Sequence, residues 1–192
     1  MSEEDAIKRL QEGEAMVRRQ AADRLGTVGG AGAVEPLVRA LQDEDWGVRT
    51  IAEHALWQIW CRSGDPEVDN LLREGIRALE REAWAEAVAK FTEVIERAPE
   101  FAEGYNKRAT AYYMMGKYEE SITDCEGTIS RNPNHFGALS GEGLCYLALG
   151  KLHKAQGFFQ KALAVNPNMP AVEQNLSAVE RSLHAGGNGS GE

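Results

Sequence analysis

The sequence contains no apolar run that approaches the roughly 18 residues needed for a membrane-spanning helix. Its first residues, MSEEDAIKRLQEGE, also lack the basic start and apolar stretch of a secretory signal. These absences argue against a membrane span and against export. We therefore expect a reducing soluble compartment, which is the cytoplasm, or the chloroplast stroma if a transit segment has been removed.

Basic residues are too few to balance the acidic ones. The chain has 21 Lys and Arg against 30 Asp and Glu, which gives a formal net charge of −9. Proteins that bind nucleic acid need a positive field to contact the phosphates. The composition therefore predicts no nucleic-acid partner.

The residues and motifs of catalytic sites are also scarce. The chain has 3 cysteines and 4 histidines, and none of them stands at the spacing of a metal site or a redox motif. Phosphate-binding loops, dinucleotide-binding glycine motifs and zinc-protease motifs are all missing. The sequence predicts no cofactor, no metal, no catalytic residue and no enzymatic activity, and free cysteines fit a reducing compartment.

What the sequence does contain is a repeat. Pro99, Pro133 and Pro167 stand 34 residues apart. Three further sets of residues, each spaced by 34 positions, form columns of equivalent repeat positions. They are Gly75, Ala109, Gly143; Phe91, Cys125, Phe159; and Ala87, Ser121, Ala155. Small residues let two helices approach closely, the Phe column fills the space between them, and a proline ends a helix. The pattern predicts helical hairpins that stack on one another.

The residue order resembles the tetratricopeptide repeat (TPR) family, whose W-x2-L-G-x2-Y…A-x3-F…P pattern is matched in degenerate form three times. The repeats are expected at 68–101, 102–135 and 136–169. The resemblance implies an all-α fold, a right-handed α-solenoid of helical hairpins, with about eleven helices in the chain. We expect the TPR domain at 66–169, a capping helix at 170–184 and a disordered tail at 185–192.

A second period, of 31 residues, lies upstream. It pairs Ala21 with Ala52 and Leu25 with Leu56. The two units resemble short HEAT-like repeats of the type found in phycobilisome lyases. The resemblance implies a segment of helical repeats at 1–63.

Local signals mark the joint after this segment and two charge pairs within it. Gly64 predicts a helix end, Asp65 a helix cap and Pro66 a first helical position. Two acid–base pairs are spaced four residues apart, Glu14 with Arg18 and Asp45 with Arg49. We interpret both as intrahelical ion pairs near helix starts, and not as a recognition surface.

In the TPR family the first helix of each hairpin lines the concave surface of the superhelix. We transfer these concave-surface positions to the present sequence by their place in the repeat. The residues then expected to line the partner-binding groove are Leu72, Ile76, Leu79, Asn106, Lys107, Thr110, Tyr113, Met114, Ser140, Leu144 and Leu147. The resemblance implies a non-enzymatic scaffold or adaptor that binds an apolar helix or extended segment of a protein partner, with assembly factor as one such role. Two alternatives stay open. These residues could contact neighbouring helices and leave no free groove, or the apolar surface could make the chain a self-associating structural module.

Some TPR domains hold the C-terminal carboxylates of heat-shock chaperones, the EEVD tail, with a clamp of Lys, Asn and Arg. The matching positions here are Leu72, Ile76, Lys107, Gly137 and Gly141. Of these side chains, that of Lys107 alone can pair with a carboxylate. The comparison of positions therefore predicts that the EEVD tail does not bind.

Overall fold

The computed structural model of the chain describes residues 1–187. Within them the chain forms eleven α-helices and no strand, which confirms the all-α solenoid of helical hairpins. The helices are α1 (Glu3–Gln11), α2 (Ala15–Val28), α3 (Ala31–Ala40), α4 (Trp46–Trp60), α5 (Pro66–Glu80), α6 (Trp84–Arg97), α7 (Ala102–Met114), α8 (Tyr118–Arg131), α9 (Phe136–Ala148), α10 (Leu152–Val165) and α11 (Pro170–Gly187).

The C-terminal helix α11 runs past the predicted helix end at 184 and reaches Gly187. The remainder of the predicted disordered tail, residues 188–192, lies outside the described residues. None of the helices within residues 1–187 has both the length and the apolar character needed to cross a bilayer.

The helices fall into two compact units. One contains Met1–Arg62 together with Val165–Asn168, and the other contains Ser63–Ala164 together with the described residues from Met169 onwards. The second unit begins with the predicted helix start, because Pro66 is the first residue of α5 and the Asp65 side chain caps it. The cap is a hydrogen bond of 2.8 Å that the Glu67 amide donates to Asp65.

In the first unit, α2 and α4 pack together through small and branched apolar side chains. Ala21 and Leu25 of α2 and Ala52 and Leu56 of α4 are all fully buried. These residues are the pairs linked by the period of 31 residues. The period therefore places equivalent positions of two helices in one core.

The ion pairs of Arg18 and Arg19 in this unit run between segments and not along one helix. Arg18 donates to both carboxylate oxygens of Asp43, at 2.7 and 2.8 Å, and Arg19 pairs with Asp45 at 2.6 Å. The predicted pairs at four-residue spacing are therefore wrong. A bidentate Arg–carboxylate contact held between packed segments is stronger than an exposed pair one helical turn apart.

In the second unit, α5 pairs with α6, α7 with α8, and α9 with α10 as successive hairpins. A Cβ atom added to Gly143 would lie 2.6 Å from the ring of Phe159, and one added to Gly75 would meet Phe91 in the same way. Both rings are fully buried. The predicted close approach of the two helices, with an aromatic ring between them, is confirmed in these two hairpins.

The turns inside the three hairpins share one backbone conformation. Gly116 and Gly150 have φ angles of 72° and 70°, and Glu82, at the same repeat position, has a φ of 59°. A left-handed backbone is costly for a residue that carries a Cβ atom. The second helix of each hairpin ends ahead of its proline, as predicted, at Arg97, Arg131 and Val165.

Candidate functional site

A cavity of about 190 Å³ opens in the second unit between the second and third hairpins. We call it the groove cavity. Its lining residues are Asn106, Ala109, Thr110 and Tyr113 of α7, Ser121 and Cys125 of α8, and Gly137, Ser140, Gly141 and Leu144 of α9. Because two first helices and one second helix contribute, the stacking of hairpins creates this site.

The cavity lies where the second hairpin lacks a ring that its neighbours have. The same two repeat columns hold Gly75 with Phe91 in the first hairpin, Ala109 with Cys125 in the second, and Gly143 with Phe159 in the third. A cysteine side chain is much smaller than a phenylalanine side chain, and the extra methyl group of Ala109 replaces little of the lost volume. Space is therefore left beside Cys125, where it joins the groove.

A buried charge cluster adjoins the cavity at Asn106. The carboxylate of Glu103 accepts hydrogen bonds from His135 Nε2 at 2.9 Å and from the Asn106 amide at 3.2 Å, and it pairs with Lys107 at 3.1 Å. His135 Nδ1 accepts from the Ala138 amide at 3.0 Å. The imidazole therefore caps α9 through Nδ1 and donates to Glu103 through Nε2.

The electrostatics of Glu103 follow from these contacts. Its side chain is fully buried, and burial raises the pKa of a carboxyl group. The hydrogen bond from His135 and the charge of Lys107 more than offset burial, so the pKa of Glu103 lies below its ordinary value. The cluster therefore favours the ionised carboxylate of Glu103, which pairs with Lys107, the only cation among the predicted clamp positions.

The structure brings part of the predicted groove together. Five predicted residues line the groove cavity, namely Asn106, Thr110, Tyr113, Ser140 and Leu144. Met114 is 51% exposed at the end of α7. Leu72 is in the core at 1% exposure. The remaining predicted residues, which are half-buried and stand outside the cavity lining, are Ile76, Leu79, Lys107 and Leu147.

Sequence reasoning missed the floor of the cavity and the charge cluster. Cys125 was assigned to the Phe column that fills the space between two helices, although its small side chain in that column was a signal for a cavity. Ser121 and Ala109 were assigned to helix packing alone. His135 was one of four scattered histidines, and no sequence pattern links it to Glu103, because the contact joins residues 32 positions apart.

Family models match nearly the whole described chain. A HEAT repeat model matches residues 3–92, and two tetratricopeptide repeat models match residues 72–128 and 136–169. Both resemblances drawn from the sequence are confirmed at this level. The HEAT match extends beyond the predicted boundary at 63 and overlaps the first TPR match.

Curated relatives share the repeats and are longer. A TPR repeat-containing protein of Rhizobium etli is 37% identical over 82 residues, which cover 43% of this chain and 40% of that protein. Hsp70-Hsp90 organizing protein 2 of Arabidopsis thaliana is 29% identical over 105 residues, which cover 54% of this chain and 18% of that protein. The chain thus spans less than half the length of either relative.

Solved TPR domains superpose on the chain. The Sgt2 TPR domain of Aspergillus fumigatus has a TM-score of 0.63 at 25% identity, and the match covers 67% of this chain and 86% of that domain. The TPR2B domain of yeast Sti1, in a complex with pHsp70, has a TM-score of 0.58 at 27% identity, with 62% and 99% covered. The second TPR of Spaghetti (RPAP3), bound to the HSP90 peptide SRMEEVD, has a TM-score of 0.51 at 25% identity, with 52% and 93% covered.

These findings contradict one prediction from the sequence. We predicted that the EEVD tail of heat-shock chaperones does not bind, because the clamp positions hold unsuitable residues. Structural neighbours are bound to such peptides, and a chaperone-organizing protein is a relative, so this exclusion is wrong. Part of its premise also fails in the structure, since the buried Leu72 is not a wall of the groove that a carboxylate would meet.

Proposed function

Since the chain is a tetratricopeptide repeat protein with HEAT repeats in its N-terminal part, we propose that it is a non-enzymatic adaptor that binds the C-terminal segment of a chaperone-type protein. The observation that carries this proposal is the groove cavity, an open site on the first helices of two successive TPR hairpins. A role as an assembly factor for complexes of that partner belongs to the same proposal.

The chemistry of the cavity suits an extended peptide. The Thr110 and Ser140 hydroxyls donate to carbonyl oxygens of their own helices, at 3.1 and 3.0 Å, and can still accept hydrogen bonds from the backbone amides of a bound segment. The side-chain oxygen of Asn106 can accept in the same way, because its nitrogen donates to Glu103. Tyr113 and Leu144 supply an aromatic and an aliphatic surface against which its side chains can pack. We propose these five residues as the core of the groove.

Residues at the rim of the groove complete the proposed site. Lys107 is partly exposed and provides a cation for an acidic tail, although Glu103 shares it. Met114 is exposed and flexible enough to adapt to a partner surface. We therefore expect the affinity for an acidic peptide to fall as the salt concentration rises.

The same cavity does not suit a covalent enzyme mechanism. Burial raises the pKa of the Cys125 thiol, so that the thiol stays protonated at neutral pH. A protonated, buried thiol is a poor nucleophile. We also propose a reducing compartment, the cytoplasm or the chloroplast stroma, because Cys125 and Cys145 are buried thiols that form no disulfide.

We propose the repeat boundaries 68–101, 102–135 and 136–169 for the TPR hairpins that build the groove. Along the sequence, the HEAT repeats at 1–63 precede them and the helix from 170 onwards follows them. In this arrangement the partner segment contacts the second and third repeats. The first repeat contributes a buried Leu72 and half-buried side chains.

Isothermal titration of the whole chain with the peptide SRMEEVD tests the proposal. We expect binding in the micromolar range, and a loss of at least about tenfold in Tyr113→Glu and in Leu144→Glu. Met16→Glu is the matched control, because Met16 is 59% exposed in the other unit and should leave the affinity unchanged. Circular dichroism confirms that each variant folds.

Two results would contradict the proposed function. One is the absence of any binding of SRMEEVD to the parent chain. The other is binding that survives both charged substitutions in folded protein. The same peptide with an amidated C-terminus shows how much of the affinity depends on the terminal carboxylate.

A further inference from the structure

One interior contact sets the second hairpin apart from the first and the third. In the first and third, a glycine faces a fully buried Phe ring, and a Cβ atom on Gly143 would lie only 2.6 Å from Phe159. In the second, Cys125 takes the place of the ring. The neighbouring hairpin supplies no side chain in its place, because α9 presents Gly141 there, and a Cβ atom added to Gly141 would make an ordinary van der Waals contact of 3.5 Å with the sulfur of Cys125 and no clash.

The space left is large enough for one apolar side chain. The groove cavity as a whole, of which this space is the floor, has a volume of about 190 Å³. A cavity of about 150 Å³ in a protein core takes up benzene. The groove cavity can therefore hold an aliphatic side chain as large as that of Leu, Ile or Met.

The polar groups at the floor of this space already have partners. The Ser121 hydroxyl donates to the carbonyl oxygen of Ala109 at 2.8 Å and accepts from the Cys145 thiol at 3.2 Å. Ordered water needs two to four polar partners, and a floor whose hydroxyl is already bonded offers few. The floor therefore favours an apolar occupant, while the rim at Thr110 and Ser140 remains polar.

We propose that the cavity beside Cys125 is a specificity pocket that receives one aliphatic side chain of the bound peptide. The proposal rests on the function proposed above and names the feature of the partner that this chain selects. The peptide lies along the groove with its backbone at the polar rim, and one of its side chains enters the space where the other hairpins have a ring. SRMEEVD contains two candidates for this place, its methionine and its valine.

The chain itself supplies the variant that closes the pocket. Ala109→Gly with Cys125→Phe rebuilds in the second hairpin the glycine–phenylalanine pair of the first and third. We expect this double variant to bind SRMEEVD at least about tenfold more weakly than the parent chain. Ala109→Gly alone leaves the pocket open and should change the affinity less than about threefold. If the double variant does not fold, Cys125→Leu fills part of the pocket and should give an intermediate loss.

A peptide series identifies the side chain that enters. Replacing the methionine or the valine of SRMEEVD by alanine should weaken binding to the parent chain for one of the two peptides. The same replacement should have no further effect on the double variant, because the pocket is closed. Unchanged affinity of the folded double variant for SRMEEVD would overturn the pocket while leaving the proposed function intact.

A small apolar probe separates the two proposals when the peptide does not bind. Benzene at saturation should raise the melting temperature of the parent chain and not that of the double variant. Protection by benzene without peptide binding would support the pocket and count against the proposed function. Failure of benzene to protect the parent chain, with no peptide binding, would overturn both.

Discussion

At the scale of single residues, Glu142 of α9 has the environment with the clearest consequence for stability. It is 1% exposed, and its Oε2 has no hydrogen-bond partner within residues 1–187. Burial, together with the negative charge of Glu126, raises the pKa of Glu142 to about 7, although Lys161 and Lys154 act in the opposite direction. A carboxyl group in this position binds its proton more tightly in the folded chain than in the unfolded chain.

The sign of the pH dependence follows from this difference. Between a pH near 4.5 and a pH near 7, the folded state holds a proton on Glu142 that the unfolded state has released. The free energy of unfolding therefore falls as the pH rises through this window. We expect Glu142→Gln to be more stable than the parent chain at pH 8, by about 1–3 kcal/mol, and to show no such gain at pH 4.5.

Urea unfolding at pH 4.5 and pH 8, followed by circular dichroism, measures this effect. Glu96→Gln is the matched control, since Glu96 is exposed at the end of α6 and its replacement removes the same charge without a buried site. An equal change in stability at both pH values would show that the Glu142 carboxyl group does not titrate as described.

At the scale of the hairpin, one turn is built with an unfavourable residue. In all three hairpins, the residue after the left-handed position donates its amide to a carbonyl five residues earlier. These hydrogen bonds are Ala83 to Ala78 at 2.9 Å, Lys117 to Tyr112 at 2.9 Å and Lys151 to Tyr146 at 2.8 Å. The pattern is a Schellman motif, which favours glycine at the left-handed position. The first hairpin uses Glu82 there, with a φ of 59°.

We expect Glu82→Gly to raise the free energy of unfolding by about 0.5–1 kcal/mol. A left-handed backbone costs a residue with a Cβ atom about 1–2 kcal/mol, and glycine removes this cost. Part of the stabilisation is lost again, because glycine has greater conformational freedom in the unfolded chain. Chemical unfolding of the purified chain measures the change.

Gly116→Ala is the reciprocal test, and it should destabilise the second hairpin by a similar amount. No heavy atom lies within 4 Å of a Cβ atom added to Gly116, so the loss would come from the backbone alone. If Glu82→Gly were neutral or destabilising, the turn would not be under the conformational strain that we infer.

At the scale of the whole molecule, the two proposed roles, adaptor and self-associating module, predict different molecular masses in solution. The large apolar side chains exposed by more than a third within residues 1–187 are Met1, Met16, Val28, Trp46, Met114 and Met115. They occur in both units, and a net charge of −9 makes two copies repel each other. We therefore expect a monomer of 21.1 kDa in static light scattering over a range of concentrations.

A mass that rises toward twice this value with concentration would favour self-association. In that case Leu144→Glu should restore the monomer, because it places a charge in the groove. If the chain is monomeric, the same variant should change peptide binding and leave the mass unaltered. The Leu144→Glu variant thus distinguishes the adaptor from the self-associating module when both peptide affinity and molecular mass are measured.

Much of the fold was predictable because the repeat is visible in the sequence as residues at a fixed spacing. Pro99, Pro133 and Pro167 mark helix ends by the chemistry of their own backbone, and the predicted start of α5 at Pro66 depends on its immediate neighbours. Five of the eleven predicted groove residues line the cavity, because the repeat period assigns them to the same helix face. Leu72 occupies the core instead, since periodicity places a side chain on a helix without deciding how deeply it is covered.

The sequence by itself determined the helical hairpins, their order and the columns that pack, because these properties depend on residues a fixed number of positions apart. Only the tertiary structure decided that Glu103 is buried against His135, that Arg18 reaches Asp43, and that the small Cys125 side chain leaves a cavity. Each of these features depends on distances between segments that are remote in sequence. The Phe column showed that Cys125 is smaller than its counterparts, but only the packing of the helices decided that the space stays open.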